Sequence, residues 1–568
     1  MGDKKNIKIA ILSSFTLNRL PLELKKACNE SKINADIYSA DYNQYAQEIL
    51  NEKSGLYRFK PDMIFIFVDV KTILGDLFYD PYGSKKEIWK KWPIDVSKNF
   101  SNLIGKLLNK TEAKIILHNF ETPSYSPLGI VENKHKNGYL SAIEILDDIL
   151  RKNYVNNDRV FIFNYNGFCS RIGKENIFDP KMYYLGDIKI AFKYLKPLSH
   201  EYLAYIIPAA ARAKKCLVFD LDNTLWGGII GEDGIEGIKL GPAAEGKPYL
   251  EFQKHILALY NRGLILAINS KNNPEDALKV FRQHPDMILK EDKFAATRIN
   301  WQDKITNMKE IAAELNIGLD SFIFFDDDKA NREMVKKYLP EVETVDMPED
   351  PSLYSSVLFK INSFNTFHIT EEDTKRNEMY LQDKKRTALK STVQNLEEFI
   401  SSLKLKISVM KADKFTIPRI SQLTLKTNQF NVTTRRYSEG QIQNFIRSGQ
   451  YFIRCYQVTD KFGDYGITGV AIIKHLKDQW LIDSFLLSCR VLGKNVELAI
   501  MGSLIKEAKN KKIKRIISEF VPTAKNKPAE NFYQDCKFSI IEKSGGRTRY
   551  QFEVGKNRFI QPKYINIH

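Results

Sequence analysis

Three short apolar runs constrain the middle of this chain more than any other feature. Cys216–Phe219 leads into Asp220 and Asp222, Leu264–Ile268 into Asn269 and Ser270, and Phe322–Phe325 into Asp326 and Asp327. Stretches with helical spacing of apolar residues, Pro248–Tyr260 and Asp303–Leu315, lie between them. Runs that are apolar at every position read as strands buried on both faces. Their alternation with helices predicts a parallel sheet covered on both sides. In such open sheets the carboxyl ends of the strands face the ligand crevice. The pattern therefore delivers three polar groups to one sheet edge, with Lys304 opening the helix between the second and third. Taken singly, each group has a plainer reading, because Asp222-Asn223-Thr224 or Asp326–Asp328 can cap a helix. Their joint order predicts one site built of phosphate-competent or metal-competent groups.

The same logic extends toward the N-terminus. Lys8–Ser13, Asp62–Val70, Lys114–Leu117 and Val160–Phe163 are strand-like, and Leu20–Ser31 has helical periodicity. A further α/β domain is expected over residues 1–205, ahead of the one over 206–355 that holds these strand ends. Residues 356–402 are highly charged with spaced apolar positions and read as a solvated helical connector. Strands at Tyr451–Val458, Gly466–Lys474 and Trp480–Leu487, a helix at Asn495–Lys509 and a strand at Ile513–Ser518 predict an α+β domain over 403–568.

Lys and Arg number 86 against 69 acidic residues, a net +17 that favours acidic partners. Lys506–Arg515 carries no interleaved aromatics, so it reads as a solvated helix end, and no nucleic-acid partner is expected. No run approaches the roughly 18 uncharged apolar residues of a membrane span, so no membrane is expected either. The first residues lack the apolar core of a secretory signal. The six cysteines are scattered without CxxC spacing. That argues against a zinc knuckle or a disulfide framework and for a cytoplasmic location.

The ordered set Asp220/Asp222, Ser270, Lys304 and Asp326/Asp327 resembles the haloacid dehalogenase (HAD) superfamily of phosphotransferases, which implies a Rossmannoid parallel sheet. By that resemblance Asp220 attacks phosphorus and becomes an aspartyl-phosphate. Asp222 protonates the leaving oxygen and then activates water. Ser270 and Lys304 bind the phosphoryl oxygens, and Asn269 and Thr224 join them as phosphate-binding candidates. Mg²⁺, which takes oxygen ligands and keeps water, is implied between Asp220, the Asp222 carbonyl, and Asp326 or Asp327.

Leu221-Asp222-Asn223-Thr224-Leu225-Trp226-Gly227-Gly228, Gly231-Glu232-Asp233-Gly234, Asn300-Trp301-Gln302-Asp303-Lys304, the segment Asn428–Tyr437 and Ser488–Gly493 carry a narrower resemblance. Together they are similar to the FkbH-like proteins, a HAD branch, over nearly the whole chain. The resemblance implies a glyceryltransferase/phosphatase. It would take a glyceryl unit from 1,3-bisphosphoglycerate, remove phosphate and load the phosphopantetheine thiol of an acyl carrier protein, as in polyketide and related pathways. Its partners would be that carrier and a phosphorylated three-carbon metabolite.

The flanking domains resemble two other folds. Ser14, at the end of the first strand, lies where an SGNH hydrolase carries its nucleophile, although the usual Gly-Asp-Ser is absent. His118 follows another strand. A serine turn and a structural histidine are the plainer readings, with a docking or substrate-lining role as the alternative. Ser488–Asn495 is similar to the pyrophosphate loop of GNAT acetyltransferases, with Asn495 where a small residue is usual, so Arg490 and Gly493 are candidates for pantetheine binding. Cys489, beside Arg490 and near Lys494, is a candidate thioester-forming nucleophile, since cations and a helix dipole favour the thiolate. A small buried apolar residue is the equal alternative. Arg435 and Arg436 can clamp phosphate or simply lie on the surface. Two further functions stay open: a phosphatase of another small phosphometabolite in natural-product or surface-glycan biosynthesis, and a non-catalytic carrier-protein docking module.

Overall fold

The computed structural model describes residues 6–83, 88–135, 137–390 and 395–568, and the chain divides into two compact units after Ala210. The first unit holds β1 (Ile7–Ser13), β2 (Ala35–Ser39), β3 (Met63–Phe67), β4 (Lys114–His118) and β5 (Val160–Phe163), all parallel in the order β2-β1-β3-β4-β5. Every residue of β3 is buried, as a strand covered by helices on both faces must be. The expected strand Asp62–Val70 stops at Phe67, and Val70 already belongs to the helix Val70–Leu74.

The second unit contains two sheets. The first comprises β6 (Cys216–Phe219), β7 (Ile265–Ser270), β8 (Phe294–Ile299), β9 (Phe322–Phe325) and β10 (Glu343–Thr344), parallel in the order β10-β9-β6-β7-β8. Phe219 stacks on Phe325 and Phe252 meets both rings edge to face within one of its cores, and Cys216, Val218 and Phe324 belong to the core on its other face. β8 is a strand that periodicity missed, because its second half, Thr297–Ile299, is only half-buried.

The other sheet comprises β11 (Lys406–Lys411), β12 (Phe430–Asn431), β13 (Tyr451–Asp460), β14 (Gly463–Leu476), β15 (Gln479–Leu487), β16 (Arg515–Phe520), β17 (Ser539–Ser544), β18 (Arg547–Glu553) and β19 (Asn566–Ile567). Its order is β17-β18-β16-β15-β14-β13-β11-β19, with β12 on β15. Pairing is antiparallel except between β15 and β16 and between β11 and β19.

The charged stretch is helical at Arg376–Lys390, but it is not a solvated connector. Met379 and Tyr380 are buried, and the Arg386 guanidinium forms a two-pronged bond to Asp460 at 2.7 and 2.8 Å while stacking on Tyr465. Charge at this density misled because the planar fork of arginine can be buried once a carboxylate matches it. Residues 391–394 of that stretch lie outside the described residues. No helix among the described residues is long and apolar enough to cross a membrane.

Candidate active site

β6 is only four residues long and is hydrogen-bonded between β7 and β9, so Asp220 leaves the sheet at its centre. The Asp220 N–H donates to the Phe325 carbonyl at 2.9 Å, which ties the two acidic strand ends together. Asn223 then turns the chain back with φ +52°, a left-handed conformation that asparagine tolerates better than most residues. As a result, one carboxylate oxygen each from Asp220, Asp326 and Asp327 lies within 4.8 Å of the others.

Lys304 enters this cluster from the N-terminus of the helix Lys304–Glu314, whose first turn is capped by Asp303 accepting from Thr306 N–H. Its ammonium lies 2.6 Å from Asp220 Oδ1 and 3.1 Å from Asp326 Oδ2, and the residue is 1% exposed. It also donates to the Asn269 carbonyl at 2.7 Å. Burial disfavours the ammonium, but the flanking Asp220 and Asp326 outweigh this and hold its pKa above the ordinary value.

One lysine does not balance three carboxylates. Burial, and then the Asp220 charge, push Asp326 up to about 7 and Asp327 up to about 6. Asp326 Oδ2 is buried and accepts no hydrogen bond, despite its ion-pair distance to Lys304. An oxygen-only donor set with an unused buried lone pair fits a hard divalent cation. Asp220, Asp326 and Asp327 would hold it. The Asp222 carboxylate lies outside this cluster, so its expected place among the metal ligands is not supported by its side chain.

The raised pKa values set a pH dependence. Below the ordinary carboxylate range both folded and unfolded chains bind these protons. As pH rises through about 6 to 7, the metal-free folded chain must ionise Asp326 and Asp327 unfavourably and loses stability. A divalent cation binds the ionised form, so Mg²⁺ should raise the melting temperature more at pH 8 than at pH 5.5. Differential scanning fluorimetry with and without chelator measures this, and equal shifts at both pH values would count against the assignment.

Asp222 is held by three donors. Its Oδ1 accepts from Trp226 Nε1 at 2.9 Å and Ile230 N–H at 3.2 Å, and its Oδ2 accepts from Asn272 Nδ2 at 2.8 Å. Burial raises its pKa, against the pull of these hydrogen bonds. With Oδ1 accepting twice, Oδ2 is the oxygen with room for a proton.

Ser270 is buried at the end of β7, beside β6, as expected. Asn269 and Thr224 are corrected. The Asn269 side chain donates to the Lys304 carbonyl and accepts from Asn307, so it anchors the lysine helix instead of facing phosphate. Thr224 Oγ1 accepts from Asp327 N–H at 3.2 Å and orients that aspartate. Sequence reasoning missed Trp226 and Asn272, which hold Asp222, and Arg332, which donates to the Asp326 and Asp327 carbonyls at 2.8 and 2.5 Å. The signal for Asn272 was its place in the same strand-end loop as Ser270. Nothing local marked Arg332.

The remaining candidates lie elsewhere. Cys489 sits in a single 3₁₀ turn, Cys489–Val491, not at the start of the helix Val496–Asn510, and it packs against the core that contains Cys216 and Tyr380. Cys489 also lines a cavity with Lys215, the residue before β6, and so lies toward the amino ends of the strands, away from the aspartates. Arg490 follows it there, its Nε donating to Ser488 Oγ. Gly493 and Asn495 both have positive φ, +72° and +59°, and Asn495 Nδ2 donates to the Tyr564 hydroxyl at 2.7 Å. Arg435 is engaged by Asp483 and Glu519, and Arg436 by the carbonyls of Thr424 and Leu425 and by Asn428. Neither presents a free fork for phosphate, because internal acceptors satisfy both.

In the first unit, Ser14 Oγ accepts from Asp69 N–H and Thr72 Oγ1 at 2.8 and 3.0 Å. His118 is fully buried, stacks on Phe67, donates from Nδ1 to the Ile66 carbonyl and accepts at Nε2 from the Tyr202 hydroxyl. Burial pushes its pKa down to about 3, so it stays neutral. Both side chains are buried and hydrogen-bonded within the unit, which corrects their candidacy as substrate contacts.

The FkbH N-terminal domain family matches residues 8–206. Among solved structures, the N-terminal part of the protein BF1531 from Bacteroides fragilis, which contains a phosphatase domain and is complexed with Mg, is 30% identical. The match covers 64% of this chain and 95% of that one, with a TM-score of 0.58. The ribosomal-protein-S18-alanine N-acetyltransferase from Escherichia coli matches 27% of this chain and 99% of its own at 14% identity and a TM-score of 0.21. No curated protein matches the chain. With its N-terminal domain matched by the FkbH family and 30% identity over 95% of a phosphatase-domain protein complexed with Mg, the chain belongs to the FkbH-like branch of the HAD enzymes.

Proposed function

We propose that this chain is a Mg²⁺-dependent phosphatase of a phosphorylated small molecule, with Asp220 as nucleophile. The observation that carries this reading is the convergence of Asp220, Asp326 and Asp327 on one point, with Lys304 bridging the first two. The similar Bacteroides fragilis structure, complexed with Mg, supports the choice of metal. When bound, the ion would offset the crowded carboxylates and the charge on the phosphoryl oxygens.

The residues divide the work as follows. A carboxylate oxygen of Asp220 attacks phosphorus, and the bond from phosphorus to the leaving oxygen breaks. The proton on Asp222 Oδ2 passes to that oxygen. Water then attacks the aspartyl-phosphate, Asp222 takes its proton, and the bond between phosphorus and Asp220 breaks to release inorganic phosphate. Trp226 and Asn272 fix the Asp222 carboxyl through both rounds. Lys304 orients Asp220 and, with Ser270, offsets charge on the equatorial oxygens.

The finer reading is a glyceryl unit taken from 1,3-bisphosphoglycerate, freed of phosphate and loaded onto an acyl carrier protein thiol. The FkbH-type N-terminal match and the chain-wide motifs support it, and the net charge of +17 suits two acidic partners. The SGNH-like and GNAT-like readings of the flanking domains belong to the same proposal. The position of Cys489 favours a second reading, a phosphatase of another small phosphometabolite. Lys215, which shares a cavity with Cys489, precedes β6, whereas Asp220 follows it. At about 3.3 Å per residue the two ends lie roughly 16 Å apart, so a thiol at the amino edge and the phosphoryl centre act as separate sites.

The test combines the protein with Mg²⁺, 1,3-bisphosphoglycerate and several phosphopantetheinylated carriers, which are then weighed. A carrier heavier by a glyceryl unit without phosphate is the expected result. Phosphate release with every carrier unloaded leaves the phosphatase and removes the transfer. Absence of phosphate release removes both.

A further inference from the structure

The amino edge of the β10-β9-β6-β7-β8 sheet opens onto a cavity of about 470 Å³. Lys215 before β6 and the loop before β9 form one wall. The helix Ile417–Lys426 and the turn that holds Cys489 and Arg490 form another, all within the second compact unit. The aspartate cluster lies at the opposite ends of the same strands.

The cavity's charge is unbalanced. Lys215, Arg376, Arg419, Lys426, Arg490 and Lys525 line it, against Asp320 and Glu341. Lys525 is paired with Asp320, and Arg376 with Asp373. The side-chain ammonium groups of Lys215 and Lys426 have neither a hydrogen-bond nor an ion-pair partner among the described residues. Burial, and then the neighbouring cations Arg376, Lys215 and Arg419, hold Lys426 well below its ordinary pKa, and burial lowers Lys215 as well. Both residues are half-buried. A cation drawn partly out of water without a partner costs stability, so a fold that brings two into one cavity carries a cost that a bound anion removes.

We infer that this cavity is a second anion site, built for a free phosphorylated small molecule that carries at least two negative charges, with Lys215 and Lys426 as its principal contacts. The volume is within the usual range for small-molecule sites, about 300–1,000 Å³, and leaves room for an organic body beyond a single phosphate. A prosthetic arm joined to a carrier through a phosphodiester brings one charge at that linkage. A phosphomonoester or pyrophosphate brings two or more and matches two ammonium groups. The site stands whether or not Asp220 is the nucleophile, since the two share no residue.

Calorimetry on the full chain tests this, with inorganic pyrophosphate and ADP as probes and a metal chelator present. Without a cation the aspartate cluster repels anions, which isolates the cavity. One-to-one binding is expected, weakened at least tenfold by Lys215→Met and by Lys426→Met and kept by Lys426→Arg. Mg²⁺-dependent hydrolysis of p-nitrophenyl phosphate should stay at the wild-type rate in all three. The Lys426→Met chain should melt at a higher temperature than wild type when no anion is present. Pyrophosphate should also slow alkylation of Cys489 by iodoacetamide in the wild-type chain, a readout that needs no variant. Absence of binding, binding that survives both methionine variants, binding lost only in Asp220→Asn, or unprotected Cys489 would each overturn the inference. Binding of a phosphopantetheinylated carrier in place of both probes would move the site to the prosthetic arm and overturn it too.

Discussion

Asp220→Asn is expected to lower Mg²⁺-dependent phosphate release by on the order of 10⁴-fold or more, the scale on which removal of a covalent nucleophile acts. The change is nearly isosteric. An amide oxygen can still accept from Lys304, whose second carboxylate neighbour, Asp326, is untouched. What disappears is a negative charge and a nucleophilic oxygen. The charge had helped push Asp326 and Asp327 upward, so both should ionise more readily in the variant. The metal-free variant should therefore melt no lower than wild type at pH 8, and that observation separates lost chemistry from lost folding. Phosphate release assayed beside a thermal melt decides the matter, and wild-type turnover in the variant would end the nucleophile assignment.

Lys304→Met is expected to damage both stability and turnover, and the metal should tell the two apart. Lys304 is 1% exposed and lies between Asp220 and Asp326. Its removal leaves two buried carboxylates without a counter-charge. Breaking one side of a buried ion pair costs about 3–5 kcal/mol, so the chelated variant should melt well below wild type. Mg²⁺ offsets the same charges and should restore a large part of the difference. Turnover should remain on the order of 10²- to 10³-fold low even with saturating metal, because the phosphoryl oxygens lose a positioned cation. A variant equally stable with and without Mg²⁺ would show that Lys304 and the cation do not share a site.

Most of the phosphoryl centre was legible because its signals are local. A strand buried on both faces is apolar throughout, and a polar group at its end has one place to go. Asp220, Ser270, Asp326 and Asp327 were read this way, and Lys304 from its place at the start of the helix between the second and third strands. The errors have physical causes. Successive side chains along a strand point to opposite faces, so Asn269 and Ser270 cannot both face phosphate, and Asn269 turns to Lys304 and Asn307. Thr224 found its partner in Asp327, 103 residues away. Arg435 looked like a phosphate clamp until Asp483 and Glu519, on β15 and β16, occupied its fork. Cys489 looked like part of a helix-capped thiolate loop, yet the turn around it packs on the core beside Cys216.

The sequence by itself determined the alternation of strands and helices and the residues that reach the carboxyl edge of the central sheet, because periodicity and apolarity act over a few residues. Only the tertiary structure decided which charge meets which. Lys304 bridges two strand ends, Arg332 braces the acidic pair from behind, and Lys215 and Lys426 face a cavity without partners. Electrostatic energy depends on distance in space and on burial, and neither is written in the spacing of residues along a chain.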